Sequence, residues 1–229
     1  MSFQSELRSI ERRIVDDLEL ATVTVQGLGD VLRDPSQPTP RFIETNAERI
    51  RDSARLTIDR LVTLMARQSP VTSDLRLLTG LMQIAHHEGL IANQLELIIA
   101  QLMETDPDEP HLAEIDVRLD RMARLAAGQI TAAAGALTAR DAAAAEEVAA
   151  CDHAINALNR AVFDLACKAF GPPGRRATAM HQMLIARSVE RIGDNAVDIA
   201  EQVAFVVTGS FREFTDASHV VPFPGASAG

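Results

Sequence analysis

Four acids recur within one short stretch of this 229-residue chain: Glu190, Asp194, Asp198 and Glu201. On a helix turning about 100° per residue, with Glu190 at zero, Glu201 falls at about 20°, Asp194 at about 40° and Asp198 at about 80°. Four carboxylates then share one narrow face. Acids stacked at i and i+4 repel by a few tenths of a kcal/mol per exposed pair, and by more when buried, unless a cation compensates. Two compensations are open. Arg187 and Arg191, at about 60° and about 100° on the same wheel, can bridge the acids as surface salt pairs, the commoner outcome for such a helix. A hard cation is the other, and it needs further oxygen ligands from a neighbouring helix. Asp152 and Asn156, again four apart, offer them from the preceding helix. Gly193, inside the acid stretch, costs roughly 1 kcal/mol of helix propensity against Ala, an expense that close approach of a neighbouring helix or an ion repays.

The elements that must position these groups are helices. From Leu7, the residues Ile10, Ile14, Leu18, Ala21, Val25, Leu28 and Leu32 step by three and four, the pattern of one buried stripe. Asp34 to Pro40, with three prolines, ends that helix. A second helix carries Ile50, Ala54, Ile58, Leu61 and Met65 and stops near Gln68-Ser69-Pro70, where Ser69 can cap and Pro70 can open the third. The third runs through Leu78, Met82, Ala85, Ala92 and Ile99. After a break from Thr105 to His111 the plan restarts: Leu112 to Ala139, a turn at Arg140-Asp141, a helix from Ala142 to Phe170, Gly171 to Gly174 as a stop, and a last helix from about Ala177 to Val207. Ile185, Ile192, Ile199 and Val203, opposite the acids, should face a core. Pro70 and Pro172 lie 102 positions apart, as do Glu88 and Glu190, which suggests an internal duplication. The expected organisation is an all-α chain of two tandem three-helix bundles, 1–105 and 111–209, with a mobile tail at 210–229.

Composition narrows the function. Hydrophobic content of 47% with 3% aromatics and no Trp or Tyr suits packed helices rather than a β-sandwich. A formal charge of −10 disfavours nucleic acid and anionic membrane as partners. Residues 1 to 13 lack a signal-peptide pattern and no stretch of about 18 apolar residues occurs, so a cytoplasmic location without membrane insertion is expected. Cys151 and Cys167, about 24 Å apart if on one helix, are expected as reduced, partly buried thiols that form no disulfide. Cys151 and His153 point in different directions with no third group to orient them, and Gly171-Pro-Pro-Gly174 lacks the Lys-Ser/Thr of a phosphate loop. No Glu is followed three residues later by His, which removes the di-iron carboxylate pattern.

The run Arg187-Ser-Val-Glu-Arg-Ile-Gly-Asp-Asn-Ala-Val-Asp-Ile-Ala-Glu201, with Val206-Val-Thr-Gly209 after it, resembles the last-helix signature of the PhoU family of phosphate-signalling regulators. Gln68-Ser-Pro-Val-Thr-Ser-Asp-Leu-Arg76 is similar to the stretch that opens that family's third helix. The resemblance implies two three-helix bundles without enzymatic activity. It implies a negative regulator of phosphate uptake and of the phosphate-starvation response, acting by contact with the phosphate transporter's ATPase and the sensor histidine kinase, and expected as a homo-oligomer, a dimer. It implies no organic cofactor, and a divalent or iron ion in the second bundle, because some members bind metal clusters through Glu/Asp-x-x-x-Asp motifs. Glu190 and Asp194 match that motif, Asp152 with Asn156 resembles its partner, and Asp198 stands where the family often has Asn.

The first half departs from the pattern. Glu88 matches the motif's Glu, but Ala92 stands where the Asp should be, and Asn46-Ala47 lies where an acid is usual. His86 and His87, adjacent and about 100° apart on a helix, read as a structural or interfacial pair and not as joint ligands. A structural helical adaptor, its acid face solvated and bridged by arginines, is the alternative reading.

Overall fold

The computed structural model describes residues 2–34, 41–67, 72–105, 112–169 and 175–214. All regular elements among them are helical: α1 (Phe3–Arg33), α2 (Arg41–Arg67), α3 (Thr72–Glu104), α4 (Ala113–Ala139), α5 (Ala142–Val148), α6 (Asp152–Ala169) and α7 (Arg176–Thr208). The stripe expected from Leu7 to Leu32 is buried along α1, and Ile185, Ile192, Ile199 and Val203 are buried on α7. The three inter-helix breaks with their prolines, the Ser69-Pro70 start, the Gly171–Gly174 stop and the tail beyond Phe214 lie outside the described residues.

The expected single helix from Ala142 to Phe170 is instead broken by a 3-10 turn, Ala149–Cys151, into α5 and α6. The reason lies on a neighbour. Gln129 of α4 donates from Nε2 to the carbonyl oxygen of Val148 at 3.4 Å, a buried bond that takes up an acceptor released at the end of α5. Asp141 starts α5 by accepting the N–H groups of Ala143 and Ala144 at 2.9 and 3.1 Å. The preceding Arg140 is left-handed, φ 53°, and closes α4.

Two pairings tie the halves of the chain together. α1 packs on α4, and α3 on α7, more heavily than α1 packs on α2. Both cross-pairs are antiparallel. Thr131 bonds Thr22 while Arg140 pairs with Glu11, and His87 meets Asn195 while Gln101 meets His181. α2 and the α5–α6 segment lie outside this central set, against α3 and α7 respectively. One apolar cluster runs through the whole, from Leu7 and Ile10 to Val203 and Ala204. Among the described residues no helix is long and apolar enough to cross a membrane.

Glycines allow the tightest approach of α3 to α7. At Gly80 a Cβ would stand 2.3 Å from Val206 Cγ2. At Gly209, φ 78°, the N–H returns to the Phe205 carbonyl at 2.8 Å and closes α7. A Cβ there would also meet Arg76 Nη1 at 2.5 Å. α7 has no basic residue in its last turn, so Arg76 brings from α3 the cation that a helix C-terminus favours. The two stretches that carry the family resemblance thus meet at one end of the bundle.

Candidate functional site: the acid face of the last helix

The acids of α7 share a helix face but not an environment. Glu190 is buried and forms an ion pair with Arg187, one turn before it. Arg187 is 57% exposed, so the pair sits at the surface, and one arginine does what sequence alone allowed it to do. Asp194 is half-buried. Asp198 turns toward α3: its Oδ2 lies 3.5 Å from His87 Nδ1, which donates to Asn195 Oδ1 at 2.9 Å. Burial raises the Asp198 carboxyl above its ordinary range, and the neighbouring His87 opposes that shift. Glu201 is buried and accepts the backbone N–H of Phe214 at 2.7 Å, tying the segment after α7 to the helix. Desolvation pushes its carboxyl upward, against that hydrogen bond.

Asp152 and Asn156 are both buried at the start of α6. Asn156 donates from Nδ2 to Asp152 Oδ2 at 2.7 Å. Gly193 explains how this turn reaches α7, because a Cβ there would stand 2.8 Å from Gln129 Oε1 and 3.0 Å from Ile155 Cδ1. The missing side chain lets α4 and α6 close on the middle of α7, through Gln129 and Ile155. Asp198 and Glu201 do not join that neighbourhood: one faces α3 and the other the C-terminal segment. Among the described residues no three His, Cys, Asp or Glu side chains are grouped as a metal site requires. With Glu190 held by Arg187 and Asp152 by the Asn156 amide, the donors as arranged do not fit a multinuclear cluster.

In the first half the matching Glu88 is fully buried on α3. Neither of its carboxylate oxygens has a hydrogen-bond partner, and the same holds for Thr57 Oγ1 of α2. Desolvation drives the Glu88 carboxyl well above its ordinary range, with Asp17 adding to the shift. Asp17, on α1, is itself buried and accepts from Ser53 Oγ at 2.5 Å. The His86 and His87 rings meet edge to face at 5.6 Å, with His87 bridging α3 to α7, an interfacial role. Cys151 and Cys167 are both exposed, contrary to the partly buried thiols expected. Cys151 lies in the 3-10 turn, and Cys167 stands beside Ala166, which takes the buried position on α6.

Sequence reasoning missed Gln129, Asp17, Gly80 and the buried Gln182–Asp116 bond, 2.6 Å from Nε2 to Oδ1. Asp17 and Glu88 carried a signal: each falls on an apolar stripe, Asp17 between Ile14 and Ala21, Glu88 between Ile84 and Ile91. Gln129 likewise sits beside Ile130 on the buried face of α4.

Residues 119–203, which run from α4 into α7, match the PhoU domain family. The phosphate-specific transport system accessory protein PhoU homolog of Rhizobium meliloti is 24% identical over 91% of this chain and 88% of its own length. PhoU homolog 1 of Mycobacterium leprae is 23% identical over 93% and 95%, and the Xylella fastidiosa homolog 28% over 91% and 87%. The fold is that of the crystal structure of the phosphate transport system regulatory protein PhoU from Streptococcus pneumoniae, with TM-score 0.78 over 92% of this chain and 99% of that one at 17% identity. Along nearly its full length the chain is thus similar in sequence to phosphate-specific transport accessory proteins of the PhoU type, and it shares the fold of a solved PhoU.

Proposed function

We propose that this protein restrains phosphate uptake and the phosphate-starvation response by direct contact with the phosphate transporter's ATPase and the sensor histidine kinase. On this reading, which its similarity to PhoU proteins supports, it acts as a regulatory accessory protein and not as an enzyme. The observation that carries the reading is the near full-length match to relatives named as phosphate-specific transport accessory proteins. It is supported by the meeting of Arg76 and Gly209, which joins the two resembling stretches at one end of the molecule. Action at the cytoplasmic face, as a dimer, is part of the same proposal. The test is a deletion strain grown with ample phosphate and scored for phosphate uptake and a starvation reporter. Derepression rescued by the wild-type chain is expected. An unchanged strain would favour a helical adaptor serving another pathway.

A second reading is supported by Gly193, where a Cβ would stand 3.0 Å from Ile155 Cδ1, a neighbour of Asn156 on α6. We propose Asp152, Asn156, Glu190 and Asp194, with Asp198 at the margin, as the place where a divalent or iron ion binds at partial occupancy after Arg187 releases Glu190. Elemental analysis of purified protein should show substoichiometric metal that disappears in the Glu190→Ala, Asp194→Ala double variant. Undiminished metal in that variant would sink the placement.

A further inference from the structure

A groove of about 490 Å³ lies between α6 and α7. Arg160 and Phe163 of α6 and Met183, Leu184 and Arg187 of α7 line it, with Asp164. Phe163 is 54% exposed and Leu184 51%, as is Met180 one turn before Leu184. Large apolar side chains gathered at one concavity mark a contact surface more often than they mark chance exposure.

Charge says what kind of contact. From Arg160 to Arg191 the sequence holds six Arg or Lys and two acids, in a chain whose formal charge is −10. This stretch is therefore net positive in an acidic protein, and two of its arginines, Arg160 and Arg187, line the groove. Arg160, Lys168, Arg187 and Arg191 are all exposed. Arg187 pairs with Glu190 yet keeps more than half its side chain in solvent.

We propose that this groove seats an amphipathic, acid-bearing helix of a partner protein. Its apolar ridge would enter between Phe163 and Leu184, and its carboxylates would meet Arg160 and Arg187. A concave surface accepts a ridge of side chains, whereas a bilayer offers none, and the net negative charge of the whole chain opposes an anionic membrane. The inference rests on the reading that this protein works through protein contacts, and adds where one of them forms.

The test uses the full chain and a fluorescein-labelled helical peptide with Leu at i, i+3, i+4 and i+7 flanked by Glu, read by anisotropy. A version with Lys in place of every Glu is the control. Saturable binding of the Glu peptide is expected, weakened about tenfold or more by Leu184→Ser or Phe163→Ser. It should weaken again in Arg160→Glu and at raised salt, and the Lys peptide should not bind. Circular dichroism shows whether each variant is folded, and because the substituted residues are exposed, two independent apolar variants are available. Absence of binding, equal binding of the Lys peptide, or insensitivity to both apolar variants would overturn the proposal. So would a doubled mass by light scattering that Leu184→Ser abolishes, which makes the groove a contact between copies. Tighter binding to phosphatidylglycerol vesicles than to the peptide, lost in Leu184→Ser, would equally overturn it. The peptide assay needs no phosphate, so its failure leaves the regulator reading standing, and an unchanged deletion strain leaves the groove standing.

Discussion

Glu88 and Glu190 stand 102 positions apart, on α3 and α7, and have opposite fates. Around Glu190 the second half keeps its polar equipment: Gly193, Asp194, Asp198 and Glu201. At the corresponding positions the first half has Ile91, Ala92, Glu96 and Ile99. Ile91, Ala92 and Ile99 are buried. Glu88 is therefore an acid left in a neighbourhood turned apolar, fully buried and without a partner for either oxygen. Glu190 keeps an arginine and an exit to solvent. The same residue type at the same place in the plan is an unpartnered core group in one half and an arginine-paired one at the edge of the core in the other. Environment, not identity, sets the difference.

The most severe way to break this contrast is to copy the first half into the second. Gly193→Ile places a side chain where a Cβ alone would stand 2.8 Å from Gln129 Oε1 and 3.0 Å from Ile155 Cδ1. Denaturant unfolding should show a loss of about 2–3 kcal/mol from overpacking, with the α6 turn displaced. The second test is Glu88→Leu. Removing a buried carboxyl that has no hydrogen-bond partner should raise stability by about 1–2 kcal/mol at neutral pH, and a loss would show that Glu88 has a partner that matters.

The pH dependence sharpens the comparison further. Burial raises the folded-state Glu88 carboxyl well above its ordinary value, so the folded protein binds a proton that the unfolded chain releases. Its contribution is complete below the ordinary carboxylate range and is lost as pH rises toward the raised folded value. Unfolding midpoints measured at rising pH should fall in the wild type and fall less steeply in Glu88→Gln. The smallest effect belongs to Arg187→Ala: the arginine is more than half exposed, and the expected change is within about 1 kcal/mol.

Much of the fold was legible because apolar residues in this chain keep helical spacing, and the Leu7–Leu32 stripe became α1 without adjustment. The break at Ala149–Cys151 was not, since Ala-Ala-Cys is compatible with a helix and the group that takes up the Val148 carbonyl, Gln129, comes from 19 positions earlier. Of the candidate site, the close approach of a neighbouring helix at Gly193 was legible, whereas Asp152 and Asn156, read from their spacing as oxygen donors to an ion, bond to each other. That Asp198 turns to His87 and Glu201 to Phe214 depends on which helices lie beside α7. A single-helix wheel carries no such information. The cysteines misled because their type is usually buried, while here Ala166 fills the inward position.

The pairing of α3 with α7 bears on how the chain is made. A nascent chain that has released α1 to α3 still lacks the partner for the α3 face carrying Gly80, His87 and Gln101, because α7 begins only at Arg176. That face waits through the synthesis of α4 to α6, exposed to whatever hydrophobic surface passes. Its histidine and glutamine, set among the apolar positions, make the waiting surface less adhesive than an all-aliphatic stripe would be, so the residues that later register α3 on α7 also guard it during synthesis.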